Sequence, residues 1–235
     1  MNEEEKTQTT AGTAEDIEKL HGLLVEMGNR LDSLLSESVV AILEAETEMA
    51  REAKEEDVRA HNCWVKIDEH CRRMLCQHDL DPHQVEKVTA ALKMALDMRR
   101  IADESCSAVR VVRYLNSGAL HSTALNEIIP RMAELAQDML DVTLDALTAQ
   151  EPGETGRQRE IYRELASANR EVFATLTREV HSQNMEPDQA GELLLVARAL
   201  ERIGDYALDV SNHLEHYYER RPAETSPGNT TAAET

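Results

Sequence analysis

The sequence predicts an all-α protein made of two tandem antiparallel three-helix bundles. Composition is the first reason: aromatics are only 3% of 235 residues, and nine Gly and six Pro are all that punctuate the chain. Ala, Leu, Glu and Arg dominate instead, and such side chains lose little rotamer freedom in a helix. Apolar residues at three-to-four spacing are the second reason. The third is an internal repeat. Ala91–Leu115 (ALKMALDMRRIADESCSAVRVVRYL) is a degraded copy of Leu193–Tyr218 (LLLVARALERIGDYALDVSNHLEHYY), with Arg-Ile-Ala/Gly-Asp in common at Arg100–Asp103 and Arg202–Asp205. A repeat of roughly 100 residues is too long for a solenoid unit and suits a duplicated bundle.

Residues 1–14 are polar and Thr-rich and are expected to form a disordered tail. From Glu15, the positions Ile17, Leu20, Leu24, Met27, Leu31, Leu34, Leu35, Val39 and Ile42 keep helical spacing, which predicts a first helix to about Glu52. The charged segment AKEED (53–57) is the expected first turn, and a second helix follows to Gln77. Asp81-Pro82 supplies an N-cap and an N1 proline for a third helix, which Asn116-Ser117-Gly118 ends. The plan then repeats. Leu120–Ala149 is periodic, with Pro130 expected either to kink it or to mark its start near Ile129. QEPGETG is a loop, Arg157–Gln183 a fifth helix, and Glu186-Pro187 opens a sixth that runs to about Arg221. The bundles are expected at 15–117 and 118–221, with 222–235 a second disordered tail.

Asp and Glu outnumber Lys and Arg 45 to 25, a net charge of −20. That surface repels phosphate backbones and anionic lipid heads, so nucleic acid and membrane insertion are not expected, whereas basic protein surfaces are favoured. The N-terminal stretch lacks the basic and apolar regions of a signal peptide, so a cytoplasmic location is expected. Cys63, Cys71, Cys76 and Cys106 are too few for a disulfide scaffold and are expected to be reduced, mostly buried thiols.

On the last helix, Leu193, Val196, Ala197, Leu200, Ile203, Gly204, Ala207, Leu208, Ser211 and Leu214 form one apolar arc. Glu201, Asp205 and Asp209 follow at successive turns along its flank, and His213 extends the ladder. Carboxylates one turn apart repel, so the spacing suits either a solvated acidic face or a hard cation held by oxygen ligands. In the earlier copy the arc is Met94, Ala95, Met98, Ile101, Ala102, Ser105 and Val109, and the flank reads Arg99, Asp103, Ser107. The cluster His61, Cys63, His70, Cys71, Cys76 and His78 lacks zinc-site spacing, and buried thiols with surface histidines are expected there. A phosphate loop, a nucleophile elbow and HExxH are all missing. Glu18-x-x-His21 stands alone where a di-iron bundle needs two such motifs. No enzymatic activity is expected.

Leu200-Glu201-Arg202-Ile203-Gly204-Asp205-Tyr206-Ala207 resembles the signature of the PhoU family, regulators of phosphate uptake, and Arg99-Arg100-Ile101-Ala102-Asp103 resembles its first copy. Met27-Gly28 and Ile67-Asp68 are similar to further parts of the pattern, and the resemblance spans nearly all of 16–219. It implies a cytoplasmic protein that represses phosphate-starvation signalling by contacting the phosphate ABC transporter ATPase and a sensor histidine kinase, with a homodimer expected. It also implies a site for iron, zinc, manganese or magnesium. Residue by residue that site is carried by Glu201 and Asp205, with Asp209 beside them and Asp103 in the first copy. Departures from the pattern are plain. Arg99 stands where a carboxylate belongs, Trp64 replaces one acid of the second-helix motif, and Asn169 and Phe173 replace both acids in the second bundle. The first bundle is therefore expected to hold metal weakly or not at all, because Arg99 neutralises Asp103. Any metal is expected on the Glu201–Asp205 side. Spacing alone also leaves open a metal-storage or metal-dependent helical-bundle protein, or an adaptor of another transporter.

Overall fold

The computed structural model of the protein describes residues 3–44, 46–77, 79–109 and 123–218. These form six helices: α1 (Glu3–Glu44), α2 (Thr47–Gln77), α3 (Pro82–Val109), α4 (Thr123–Ala149), α5 (Thr155–His181) and α6 (Pro187–Tyr218). α1, α2 and α3 pack together as one bundle and α4, α5 and α6 as the other. The all-α class and the tandem bundles are as the periodicity and the repeat predict.

The junction of α1 and α2 differs from expectation. It falls between the end of α1 at Glu44 and the start of α2 at Thr47, and the AKEED stretch is inside α2. The Glu46 N–H reaches back to the Ala41 carbonyl (3.1 Å) while the Glu46 carbonyl accepts from the Ala50 N–H (3.2 Å), so one residue serves both helices. AKEED stays helical because it contains neither Gly nor Pro and Arg51 and Arg59 lace its carboxylates at three- and four-residue spacing. Ala53 at its start is buried. α1 also begins earlier than expected, at Glu3, within the stretch assigned to a tail. The expected ends of the third and sixth helices, the start of the fourth at Leu120 and the tail at 222–235 lie outside the described residues.

α3 starts as the sequence predicts. The Gln84 N–H donates to Asp81 Oδ1 (2.9 Å) and the Asp81 N–H to Gln84 Oε1 (3.0 Å), a reciprocal capping box. α4 runs unbroken through Pro130, which is interior to it, with Ile128 and Ile129 buried just before. The loop after α4 turns at Gln150 (φ 58°) and carries Gly153 against the backbone of Ser211 on α6.

The bundles meet along two lines. α3 packs against α6 and α1 against α4. On the second line Gln137 Nε2 donates to Asp32 Oδ1 (2.8 Å). His21 of α1 takes part in a hydrogen bond with the Tyr218 hydroxyl (3.0 Å), joining the middle of α1 to the end of α6. His21 thus has a packing role, and burial lowers its pKa.

Candidate functional site

The two repeat helices are the ones that face each other across the bundle boundary. Both arcs are buried as predicted, except that Leu208 is half-buried. Gly204 lies at a close approach of α6 to α4 and α5. A Cβ there would stand 2.5 Å from Leu165 Cδ2 and 3.0 Å from Met139 Sδ.

Running antiparallel, α3 and α6 share a ladder of polar pairs. Lys87 lies 5.6 Å from the Tyr217 ring and Arg100 5.5 Å from the Tyr206 ring. His213 Nε2 is 3.4 Å from Asp97 Oδ2, and Arg202 Nη1 is 2.9 Å from Glu104 Oε1. Asp97 is only 5% exposed and also receives Arg100 Nη1 at 2.9 Å. Burial raises the Glu104 carboxyl, with Arg202 pulling the other way. Burial and then the Asp97 charge raise that of Asp209, against His213. Sequence reasoning missed Asp97 and Glu104. Asp97 did leave a signal, since it sits three after Met94 and four before Ile101, a carboxylate on an apolar arc.

The four candidate ligands do not converge. Asp103 is exposed and bonded to Arg99 Nη2 (2.6 Å), whose other nitrogen, Nη1, reaches Asp57 Oδ1 on α2 (2.5 Å). Glu201 is largely buried. Its Oε2 accepts from Asn169 Nδ2 across the bundle on α5 (2.7 Å) and from Arg198 Nη1 (2.6 Å). Asp205 is exposed and bonded to the Tyr162 hydroxyl, whose pKa rises through burial first and this carboxylate second. Asp209 is exposed on the seam. Among the described residues no group of three or more His, Cys, Asp or Glu side chains is placed to hold a metal ion. Nitrogen donors meet Asp103 and Glu201 where oxygen ligands would be needed, and the four acids do not share a point, so the residues present do not fit the metal that the resemblance implies.

In the His/Cys cluster Cys63 and Cys71 are buried and Cys76 is exposed, while Cys106 on α3 is half-buried, all as free thiols. Burial pushes Cys71 up to about 12. His70 is not a surface residue. It is enclosed, with Nδ1 accepting from Arg73 Nη2 (2.9 Å) and Nε2 donating to the Asp16 carbonyl (2.8 Å). His78 lies outside the described residues. Phe173, the only phenylalanine, is 58% exposed and borders an apolar groove with Leu176 and Val180 of α5 and Ala190 and Leu194 of α6.

A family model described as the PhoU domain matches the chain twice, at residues 24–112 and 129–214. The chain belongs to the PhoU family. It is 24% identical over 198 residues to a phosphate-specific transport system accessory protein PhoU homolog of Zymomonas mobilis, covering 84% of this chain and 82% of that one. A homolog so named from Pseudomonas aeruginosa is also 24% identical, covering 83% and 81%. Those relatives are named as accessory proteins, not as enzymes. The crystal structure of PhoU from Pseudomonas aeruginosa superposes with a TM-score of 0.80 at 19% identity, over 86% of this chain and 96% of that one. The phosphate transport system regulatory protein PhoU from Streptococcus pneumoniae gives 0.72 at 17% identity, over 86% and 94%. At such identity the structures establish the shared fold. Among the described residues no helix is long and apolar enough to cross a membrane.

Proposed function

We propose that this chain is a regulator of phosphate uptake. It represses phosphate-starvation signalling by contacting the ATPase of a phosphate ABC transporter and a sensor histidine kinase on the cytoplasmic side, and it works as a homodimer. The observation that supports this most is the doubled match. Both bundles fit the PhoU domain, in a chain aligned over most of its length with accessory proteins of phosphate-specific transport. A net charge of −20 suits basic partner surfaces, and the role depends on shape and surface charge, which the departures at Arg99 and Asn169 leave in place.

The test is capture of the transporter ATPase and of the kinase from the host by the full chain under phosphate-replete conditions, beside a phosphate-starvation reporter in a deletion strain. Capture of either partner, with the reporter switched on despite ample phosphate, is the expected result. Neither partner captured and a silent reporter would overturn the reading.

A further inference from the structure

We propose that Asp103 and Glu201 of the repeated signature are closed by the protein's own nitrogen donors, with Arg99 standing in for a bridging cation, so that the chain is a metal-independent member of its family. The first bundle carries the argument furthest. Arg99 is 18% exposed and lies between Asp57 on α2 and Asp103 on α3. One nitrogen of its fork meets each carboxylate, Nη1 to Asp57 Oδ1 at 2.5 Å and Nη2 to Asp103 Oδ1 at 2.6 Å, and Nη1 also lies 3.4 Å from the Asp57 carbonyl. A single positive charge joins two acids on neighbouring helices, which is the work of a bridging divalent ion. A guanidinium does this at fixed geometry and without exchange, since its charge does not titrate.

The second bundle reaches the same end by a different route. Its signature keeps the carboxylate, Glu201, but α5 offers Asn169 opposite it, and the amide nitrogen points at Glu201 Oε2 (2.7 Å). Arg198 Nη1 meets that oxygen at 2.6 Å. Metal ligands must aim lone pairs at the ion, whereas these groups aim N–H bonds at the acid. A cation entering here would have to displace Arg198, and one entering the first bundle would face the charge of Arg99. The carboxamide oxygen of Asn169 is left without a hydrogen-bond partner, so one added carboxylate at this position is the smallest change toward an oxygen site. In both bundles the clasp ties the middle helix to the closing one, α2 to α3 and α5 to α6.

The test uses the full chain with Mn2+ and Mg2+, reading metal content after dialysis and the melting temperature with each ion or with EDTA. The wild type is expected to retain well under one ion per chain and to melt at the same temperature in all conditions. Arg99→Glu is expected to melt lower in EDTA and to recover with Mn2+, because it opposes a new carboxylate to Asp57 and Asp103. Asn169→Asp is expected to gain a Mn2+-dependent rise of its own, and it carries the test if Arg99→Glu does not fold. A wild type that retains stoichiometric metal, or whose melting rises with either ion and loses the rise in Glu201→Gln, would overturn the proposal. Folded variants that stay indifferent to metal would also overturn it, since Arg99 and Asn169 would then not occupy a cation's place.

Discussion

Gly204 and Gly153 each bring α6 closer to a neighbour than a side chain would permit, and they differ in what they touch. A Cβ at Gly153 would meet Ser211 O at 2.7 Å and Ser211 Cα at 2.9 Å, both backbone of α6. A Cβ at Gly204 would meet the ends of two side chains, Leu165 and Met139, which can turn aside. Gly204 is also mid-helix, where alanine gains up to about 1 kcal/mol of propensity. Gly153→Ala is therefore expected to lower stability by about 1–3 kcal/mol, the usual range for overpacking. Gly204→Ala should cost less, and Gly204→Val more than Gly204→Ala. Urea unfolding of the three variants checks the order, and a Gly204→Ala loss exceeding that of Gly153→Ala would show that the α4–α5 side is the less yielding. In the first bundle the matching position is Ala102, fully buried, so the close approach at Gly204 belongs to the second bundle.

The helices are held by pairs that cross from one element to the next. Gln158 of α5 is fully buried and donates through Nε2 to Thr143 Oγ1 (2.6 Å) and the Met139 carbonyl (3.1 Å) on α4. Thr143 Oγ1 in turn lies 3.1 Å from the Ala207 carbonyl and 3.2 Å from Ser211 Oγ on α6, so one hydroxyl joins all three helices of the second bundle. Thr143→Val keeps the shape and removes that junction. A loss of about 1–3 kcal/mol is expected, the cost of buried polar groups left short of a partner, and a variant as stable as wild type would show that water or rotation replaces the bond. At the start of α3, Asp81→Ala breaks the capping box and should cost about 1 kcal/mol, with Asp81→Asn close to neutral by the same unfolding measurement. The capping box was legible in the sequence because Asp-Pro-x-Gln is a local code, as were the buried arcs, whose spacing is a property of one helix. The α1–α2 junction was not legible, because no breaker marks residues 45–46 while AKEED, rich in charge, resembles a loop until Arg51 and Arg59 are seen to pair along it. The candidate site was half legible. Arg99 opposite Asp103 could be read four residues apart on one helix, but the reach to Asp57 and the Asn169–Glu201 bond join positions 42 and 32 residues apart, and only the packing of the bundles brings them together.

For the molecule as a whole, a net charge of −20 and a set of acids with raised carboxyls decide how it responds to solution conditions. Glu37, Glu104, Asp141 and Asp209 all have carboxyls raised above their ordinary range, each by burial first; nearby acids add to it, chiefly Glu56 for Glu37, Asp32 for Asp141 and Asp97 for Asp209. A carboxyl with a higher pKa in the folded state binds its proton more readily there. Between the ordinary value, 4.5 for Glu and 3.8 for Asp, and the raised one, the folded chain holds more protons than the unfolded chain. Stability therefore falls as pH rises through that window and is regained as pH is lowered through it. His21 acts in the opposite sense. Its pKa is lowered from 6.5 by burial, so the fold prefers the neutral ring and loses stability as pH falls below that value. His21, with the exposed Glu48 that Arg51 holds below its ordinary value, works against four carboxyls, and the general repulsion among acids also weakens as they take up protons. At fixed ionic strength the melting temperature is expected to dip little or not at all as pH falls from neutrality through 6.5, where His21 acts, and then to rise as pH falls toward the ordinary carboxylate range, where the raised carboxyls take up protons. Raising salt at neutral pH should lift it as well, because the Debye length shortens to about 8 Å at physiological ionic strength and screens the excess negative charge. Replacing His21 with Gln should remove the dip and leave the rise. A melting temperature that falls steadily from neutrality into the ordinary carboxylate range, or that ignores salt, would mean that the four raised carboxyls and the excess negative charge do not govern the response of the fold to solution conditions.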